Sequence, residues 1–295
     1  MTLRIGTREI GDGHPCYIVG EIGINHNGST ETALRLIDAC AAAGMDAVKF
    51  QKRTVDLVYT PDELAKPRES IFGDTNGDLK RGLELDRNAY DAIDRRCKKL
   101  GIAWFASCWD APSIEFIARY EPPCWKVASA MLTDHEHLRT LAATDIPILL
   151  STGGSTFAQV AQAQDVVCDA RRGEPGGVLL HAVSTYPCPL ENLNLARIGA
   201  LRGLFGERWE IGYSGHEVPV GPAVRAESKY GACVVERHVT LDRAMWGSDQ
   251  PASLEPPGFT LLVRDIRNGE TSDGDGADAL QPGEAETMAK LRRST

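Results

Sequence analysis

Two lysines, two histidines and a glutamate stand where short apolar runs give way to polar residues. Lys49 interrupts Ala47-Val-Lys-Phe50, and Lys126 lies between Trp125 and Val127. A lysine in an apolar strand costs free energy unless an anion faces it or chemistry uses it. Ser129, Ser151 and Ser214 close neighbouring segments, and Ser151-Thr-Gly-Gly154 is a turn type whose backbone N–H groups suit phosphate. Ammonium groups and hydroxyls together suit a ligand carrying a phosphate and a carboxylate. His216 and His238 lie 22 residues apart, which is no local metal signature. At neighbouring strand ends, however, two imidazoles suit Mn, Fe, Co or Zn and leave ligand positions open. His26, beside Asn25 and Asn27, reads better as a residue that holds its own turn together.

The elements that must position these residues are eight short apolar runs, at 17–20, 47–50, 103–106, 125–128, 148–150, 178–180, 210–212 and 234–236. Amphipathic segments separate them. Ser29 and Thr30 can cap a helix that Gly44 ends, and Arg87–Leu100 repeats the pattern with Gly101 as its stop. Alternating strands and helices in this number predict an α/β chain closed as a (β/α)₈ TIM barrel over residues 1–270. In such a barrel the strand C-terminal ends carry the active site. The long segment 52–86, rich in Pro, Gly and charge, is expected to fold over that face, with a solvated surface excursion as the alternative. Residues 271–295 read as a linker-like tail.

Composition narrows the function. A formal net charge of -9 disfavours nucleic acid, because nothing offsets repulsion from its phosphates. Eight scattered cysteines, without a Cys-x-x-Cys pair, predict free thiols in a reducing cytoplasm. The polar N-terminus predicts no signal peptide, and no apolar run reaches the ~20 residues that span a membrane.

Six segments, taken in order, resemble the N-acetylneuraminate (sialic acid) synthase family. They are Glu21-Ile-Gly-Ile-Asn-His-Asn-Gly28, Val48-Lys-Phe-Gln51, Trp125-Lys-Val-Ala-Ser129, Ser151-Thr-Gly-Gly154, Tyr213-Ser-Gly-His216 and Val235-Glu-Arg-His238. The resemblance covers roughly residues 15 to 270. It implies a metal-dependent transferase of carbohydrate biosynthesis that condenses phosphoenolpyruvate with a sugar aldehyde such as N-acetylmannosamine. Lys49, Gln51, Lys126, Ser129, Ser151 and Ser214 would then lie around phosphoenolpyruvate. His216 and His238 would hold a divalent metal, Mn²⁺, with Mg²⁺ or Co²⁺ as alternatives. Glu21 would transfer protons, and Tyr186 and Asp249 would meet the acceptor aldose. A homodimer is a further expectation.

Departures from the family pattern fall mostly on the acceptor side. Cys108 replaces a Thr and weakens one expected phosphate contact. Ala130-Met131 stands where Gly-Glu is usual, Ser184 replaces an Asn, and Gly215 replaces the Asp before the metal histidine. Family members also carry a small antifreeze-protein-like domain after the barrel; this chain reads as a short form without it. Glu255, in Ser253-Leu-Glu-Pro-Pro-Gly258, is the local candidate to replace a lost acceptor carboxylate. Three other readings stay open. One is a metal-independent aldolase with Lys126 or Lys49 as Schiff-base nucleophile. Another is a synthase for a phosphorylated aldose, using Arg53 and Arg68. The third is a barrel that binds a sugar without catalysis.

Overall fold

The computed structural model describes residues 3–172 and 176–292. All eight apolar runs are strands of one closed, parallel barrel, each paired with the next in sequence and the last with the first. They are β1 (Tyr17–Gly23), β2 (Ala47–Lys52), β3 (Ala103–Cys108), β4 (Trp125–Val127), β5 (Ile148–Ser151), β6 (Gly177–Ala182), β7 (Trp209–Gly215) and β8 (Val234–His238). Several run further than the apolar pattern suggests. The extra residues are the polar ones, which pair in the sheet as well as any others.

Side chains alternate between the two faces of each strand, and that alternation builds the site. Tyr17, Val19, Ala47, Phe105, Cys124, Leu149, Val178, Leu180 and Val234 fill the lower barrel interior. One step up each strand, on the same face, come Glu21, Lys49, Ser107, Lys126, Ser151 and Glu236. The opposite faces carry Ile18, Val48, Phe50, Trp104, Leu150, Ile211 and Val235 into the layer between sheet and helices.

Ser29 caps helix Thr30–Ala42 by accepting from Thr32 N. Helix Arg87–Leu100 stops at a left-handed Gly101. These two helices lie side by side and bury Ala33, Leu36, Ile37 and Cys40 from one, and Ala89, Tyr90, Ile93 and Cys97 from the other, in the layer that packs on the barrel. Each fully buried Leu or Ile contributes about 1.5–3 kcal/mol. All eight cysteines are free and buried.

The polar N-terminus folds into a small hairpin, Leu3–Ile5 against Arg8–Ile10. Its Ile5 and Ile10 plug the N-terminal end of the barrel against Tyr17, Val19 and Val234. Segment 52–86 forms helices Val55–Val58, Pro61–Ala65 and Asn76–Leu83 and a hairpin of Pro67–Ser70 with Gly73–Thr75. It packs on the loop after β1, where Gly28 leaves no room for a Cβ beside Gly82 O. Its Phe72 meets Trp246 edge-on at 6.3 Å, so it lies on the barrel's C-terminal face. The last barrel helix, Pro256–Ser272, continues two residues past position 270. Beyond it the chain is exposed and carries a helix, Glu284–Leu291, with no buried residue; residues 293–295 lie outside the described residues. Among the described residues no helix is long and apolar enough to cross a membrane.

Candidate active site

A cavity of about 250 Å³ opens at the C-terminal end of the barrel. Glu21, Lys49, Gln51, Lys126, Ser129, Ser151, Tyr186, Ser214, His216, His238 and Asp249 all line it. The structure thus brings together every site residue read from the sequence but one. Glu255 is the exception and a correction: it occupies the N-cap of helix Pro256–Ser272 and does not line the cavity. There it accepts from Arg243 N at 3.1 Å and pairs with the Arg243 guanidinium at 3.4 Å. The short turn Gln250–Ala252 separates it from Asp249 and sends it outward.

Cys108 is a second correction. It belongs to the outer apolar layer, with its thiol on Ser113 O at 3.5 Å, so it withdraws no contact from the cavity. Alternation on β3 instead presents Ser107. His26 does hold its own turn, accepting from Gly28 N at 3.0 Å through Nδ1. His181, also at a strand end, is buried against Leu193 O and stands outside the cavity lining.

Glu236 is the residue whose importance sequence reading missed. Its Oε1 lies 3.1 Å from Lys49 Nζ and 3.6 Å from Lys126 Nζ, and accepts from Ser214 Oγ at 3.1 Å. Lys49 also sits 3.3 Å from Glu21 Oε1 and donates to Ser107 Oγ at 3.3 Å. Lys126 donates to Ser151 Oγ at 2.7 Å, and Gln51 Nε2 to Glu21 Oε1 at 3.0 Å. Glu21 Oε2 and Glu236 Oε2 are buried and have no partner among the described residues. Gly23 makes this arrangement possible: β1 bulges between Glu21 and Gly23, with φ of 52° at the glycine. A Cβ there would come within 3.0 Å of Glu21 Oε1.

The electrostatics separate the two carboxyls. Burial pushes Glu21 up to about 7, with Glu236 adding to the rise and Lys49 opposing it. Burial acts the same way on Glu236, but Lys126 and Lys49 outweigh it and hold that carboxyl well below the usual range. Lys49 stays firmly protonated, since Glu21 and Glu236 overcome its burial. Burial, with Lys49 nearby, pulls Lys126 down although Glu236 opposes the shift. The site therefore holds one permanent carboxylate and one that exchanges its proton near neutrality, the usual division between stabiliser and acid–base group.

The donor set suits a divalent cation. The ring centroids of His216 and His238 are 5.4 Å apart, and Tyr186 lies against His216 at 4.1 Å. His216 Nδ1 meets Val183 O at 2.6 Å; because a carbonyl only accepts, that nitrogen carries the proton and Nε2 is left as a lone-pair donor. His238 Nδ1 is buried and unpartnered, 3.7 Å from Asp249 Oδ2. Burial pushes both imidazoles down to about 3, into the neutral form that ligation requires. Among the described residues no three His, Cys, Asp or Glu are grouped for a metal, so further ligands would be water or substrate oxygens.

Arg53 stacks on Trp109, a cavity-lining residue, at 4.6 Å and donates to Tyr59 Oη at 2.7 Å. Arg68 lines an adjoining pocket of about 380 Å³ with Lys80, Glu69, Trp246 and Ser248. A larger groove, about 860 Å³, lies at the opposite barrel end around Arg4, Pro147 and Trp209. It holds none of these acid–base groups.

Comparison with known proteins places this geometry. The NeuB family profile matches residues 36–278. The chain is 35% identical over 289 residues to N-acetylneuraminate-9-phosphate synthase of Homo sapiens, covering 97% of this chain and 79% of that protein. It is 30% identical over 280 residues to N,N'-diacetyllegionaminic acid synthase of Campylobacter jejuni, covering 94% and 83%. The crystal structure of N-acetylneuraminic acid (sialic acid) synthetase from Leptospira borgpetersenii, in complex with citrate, matches with a TM-score of 0.83 and 26% identity. That match covers 100% of this chain and 98% of the other.

Proposed function

This chain belongs to the NeuB family, and on that premise we propose that it condenses phosphoenolpyruvate with a sugar aldehyde. The acceptor is an aldose of the N-acetylmannosamine type, and the products are a 3-deoxy-2-keto sugar acid and phosphate. One observation carries the reading: Lys49, Lys126, the unequal carboxyls Glu21 and Glu236, and both histidines converge on one cavity.

Lys49 and Lys126, with Ser107, Ser129, Ser151 and Ser214, hold the phosphate and carboxylate of phosphoenolpyruvate, whose charge would otherwise repel incoming groups. Tyr186 and Asp249 orient the aldose at the mouth. His216 and His238 would hold a divalent cation, Mn²⁺ in this reading, which would supply Lewis-acid polarisation of the aldehyde oxygen. The methylene carbon of phosphoenolpyruvate forms the new C–C bond to the aldehyde carbon. Water adds to the enol carbon, and the C–O bond to phosphate breaks to leave the ketone. Glu21, ionised, takes the proton from that water at its free Oε2 and passes it to the former aldehyde oxygen, which becomes a hydroxyl. The proton of the added hydroxyl leaves with phosphate as the ketone forms.

The test is phosphate release from phosphoenolpyruvate with Mn²⁺ against a panel of aldoses and aldose phosphates. Aldose-dependent release that disappears in His238→Ala supports the proposal. Tight phosphoenolpyruvate binding with no release across the panel favours the non-catalytic barrel. The lowered affinity of Lys126 for its proton is the one observation that favours a Schiff-base aldolase. Borohydride trapping of Lys126 with a keto acid and no metal would establish that second reading.

A further inference from the structure

Strand alternation puts Lys49 and Gln51 on the cavity side of β2, and the proposed reaction gives Gln51 no task. Its amide bridges two groups of opposite character. On one side Nε2 donates to Glu21 Oε1 at 3.0 Å. On the other, Oε1 accepts from Arg53 Nη2. A guanidinium only donates and a carboxylate only accepts, so the two neighbours together allow one orientation of the amide. Gly23 leaves the room for it, since a Cβ there would lie 3.2 Å from Gln51 Nε2.

Arg53 is itself held, and it is only 8% exposed. Its Nε lies 3.3 Å from Glu84 Oε1, and Nη1 donates to Tyr59 Oη at 2.7 Å. The guanidinium stacks on Trp109 at 4.6 Å. Tyr59 and Glu84 both belong to segment 52–86, where Glu84 is the C-cap of helix Asn76–Leu83. We propose that Arg53 is a positioning residue: by fixing the Gln51 amide it keeps a donor on Glu21 Oε1 and leaves Oε2 for the reacting water. Segment 52–86 then does more than wall the cavity, because it anchors Arg53. Without Arg53 the amide can turn over and set its oxygen against the carboxylate, and Glu21 loses that donor. The inference rests on the proposed function for the reaction, and on the hydrogen bonds alone for the amide's orientation.

The experiment follows the Gln51 side-chain amide by ¹H–¹⁵N NMR, and phosphate-release kinetics, in Arg53→Met, Gln51→Met and the double variant. Gln51→Met identifies the amide signal by its disappearance. Arg53→Met keeps an unbranched stem against Trp109, and Lys52, 2.8 Å from Glu84, keeps that carboxylate paired. In the unaltered protein the Gln51 amide protons are expected to exchange slowly with water. In Arg53→Met they should exchange faster and shift toward the position of free glutamine. Arg53→Met is expected to lower kcat by on the order of 10–100-fold while phosphoenolpyruvate binding, measured by calorimetry, stays unaltered. The double variant should lose no more than Gln51→Met alone, because Arg53 acts through that amide. Losses that multiply in the double variant overturn the proposal, as does an Arg53→Met amide signal identical to that of the unaltered protein. If Arg53→Met does not fold, the unaltered protein still decides: a protected Gln51 amide supports the clamp, and one that exchanges like free glutamine contradicts it. If no aldose is turned over, the proposed function fails, and the amide signals alone decide the clamp.

Discussion

Glu21 and Glu236 are the same residue type a few ångströms from the same lysine, yet their surroundings shift their proton affinities in opposite directions. Glu236 faces two ammonium groups and stays charged, whereas Glu21 faces one and lies beside another carboxylate. If Glu21 is the base, the active form is its ionised one, so kcat/KM should fall as pH drops through about 7. Glu21→Gln should lower the rate by on the order of 10²–10⁴ and remove that limb from the profile. An unchanged limb in the variant would assign it to another group. A second consequence follows from the crowding around Lys49. A bound phosphate or carboxylate beside Lys126, whose hold on its proton burial and Lys49 weaken, strengthens that hold while Glu21 stays ionised. Phosphoenolpyruvate binding should therefore take up protons, measurable by calorimetry in two buffers of different ionisation enthalpy. Proton release would contradict this arrangement.

Much of this was legible one residue at a time. Lys49 stands in an apolar run, and the cost of burying an unpaired ammonium there already points to an anion. Glu236 ends the apolar run 234–236 and carried a similar signal, but its role depends on β7 and β2 bringing Ser214 and Lys49 to it. Cys108 shows a legible feature misread: with Phe105 inside, period-two alternation already puts Ser107 in the cavity and Cys108 out.

At the scale of elements, the strands and main helices followed from apolar period and caps, as Ser29 and Gly101 show. The N-terminal hairpin did not, because Leu3, Ile5 and Ile10 are few apolar marks within a polar stretch. Its place at the barrel's N-terminal end gives it a role in stability rather than chemistry. Ile10→Ala should cost about 2–5 kcal/mol of unfolding free energy while kcat and KM stay unchanged below the new melting range. A changed KM would mean that the plug communicates with the far end of the barrel. The Glu255 correction also belongs here, since a short turn and a helix N-cap decide where that carboxylate points. Asp249→Asn should raise the acceptor KM several-fold and Glu255→Gln should leave it unaltered; the reverse pattern would return Glu255 to the site.

For the whole molecule, the barrel gathers residues from seven strands into a space too small for more than a few groups. Net charge says little about such a site: the chain carries -9, while two lysines and two carboxyls govern the cavity. Segment 52–86 adds the outer wall, where Arg68 and Lys80 line the pocket beside Trp246 and Ser248. In the proposed reaction the acceptor enters between that wall and Asp249.

The most direct test of the central claim is mass analysis of both products from phosphoenolpyruvate and aldose in ¹⁸O-labelled water. The expected product is an adduct of phosphoenolpyruvate, aldose and water less phosphate, with unlabelled phosphate because the C–O bond breaks. Labelled phosphate, or phosphate released without an adduct, would contradict it.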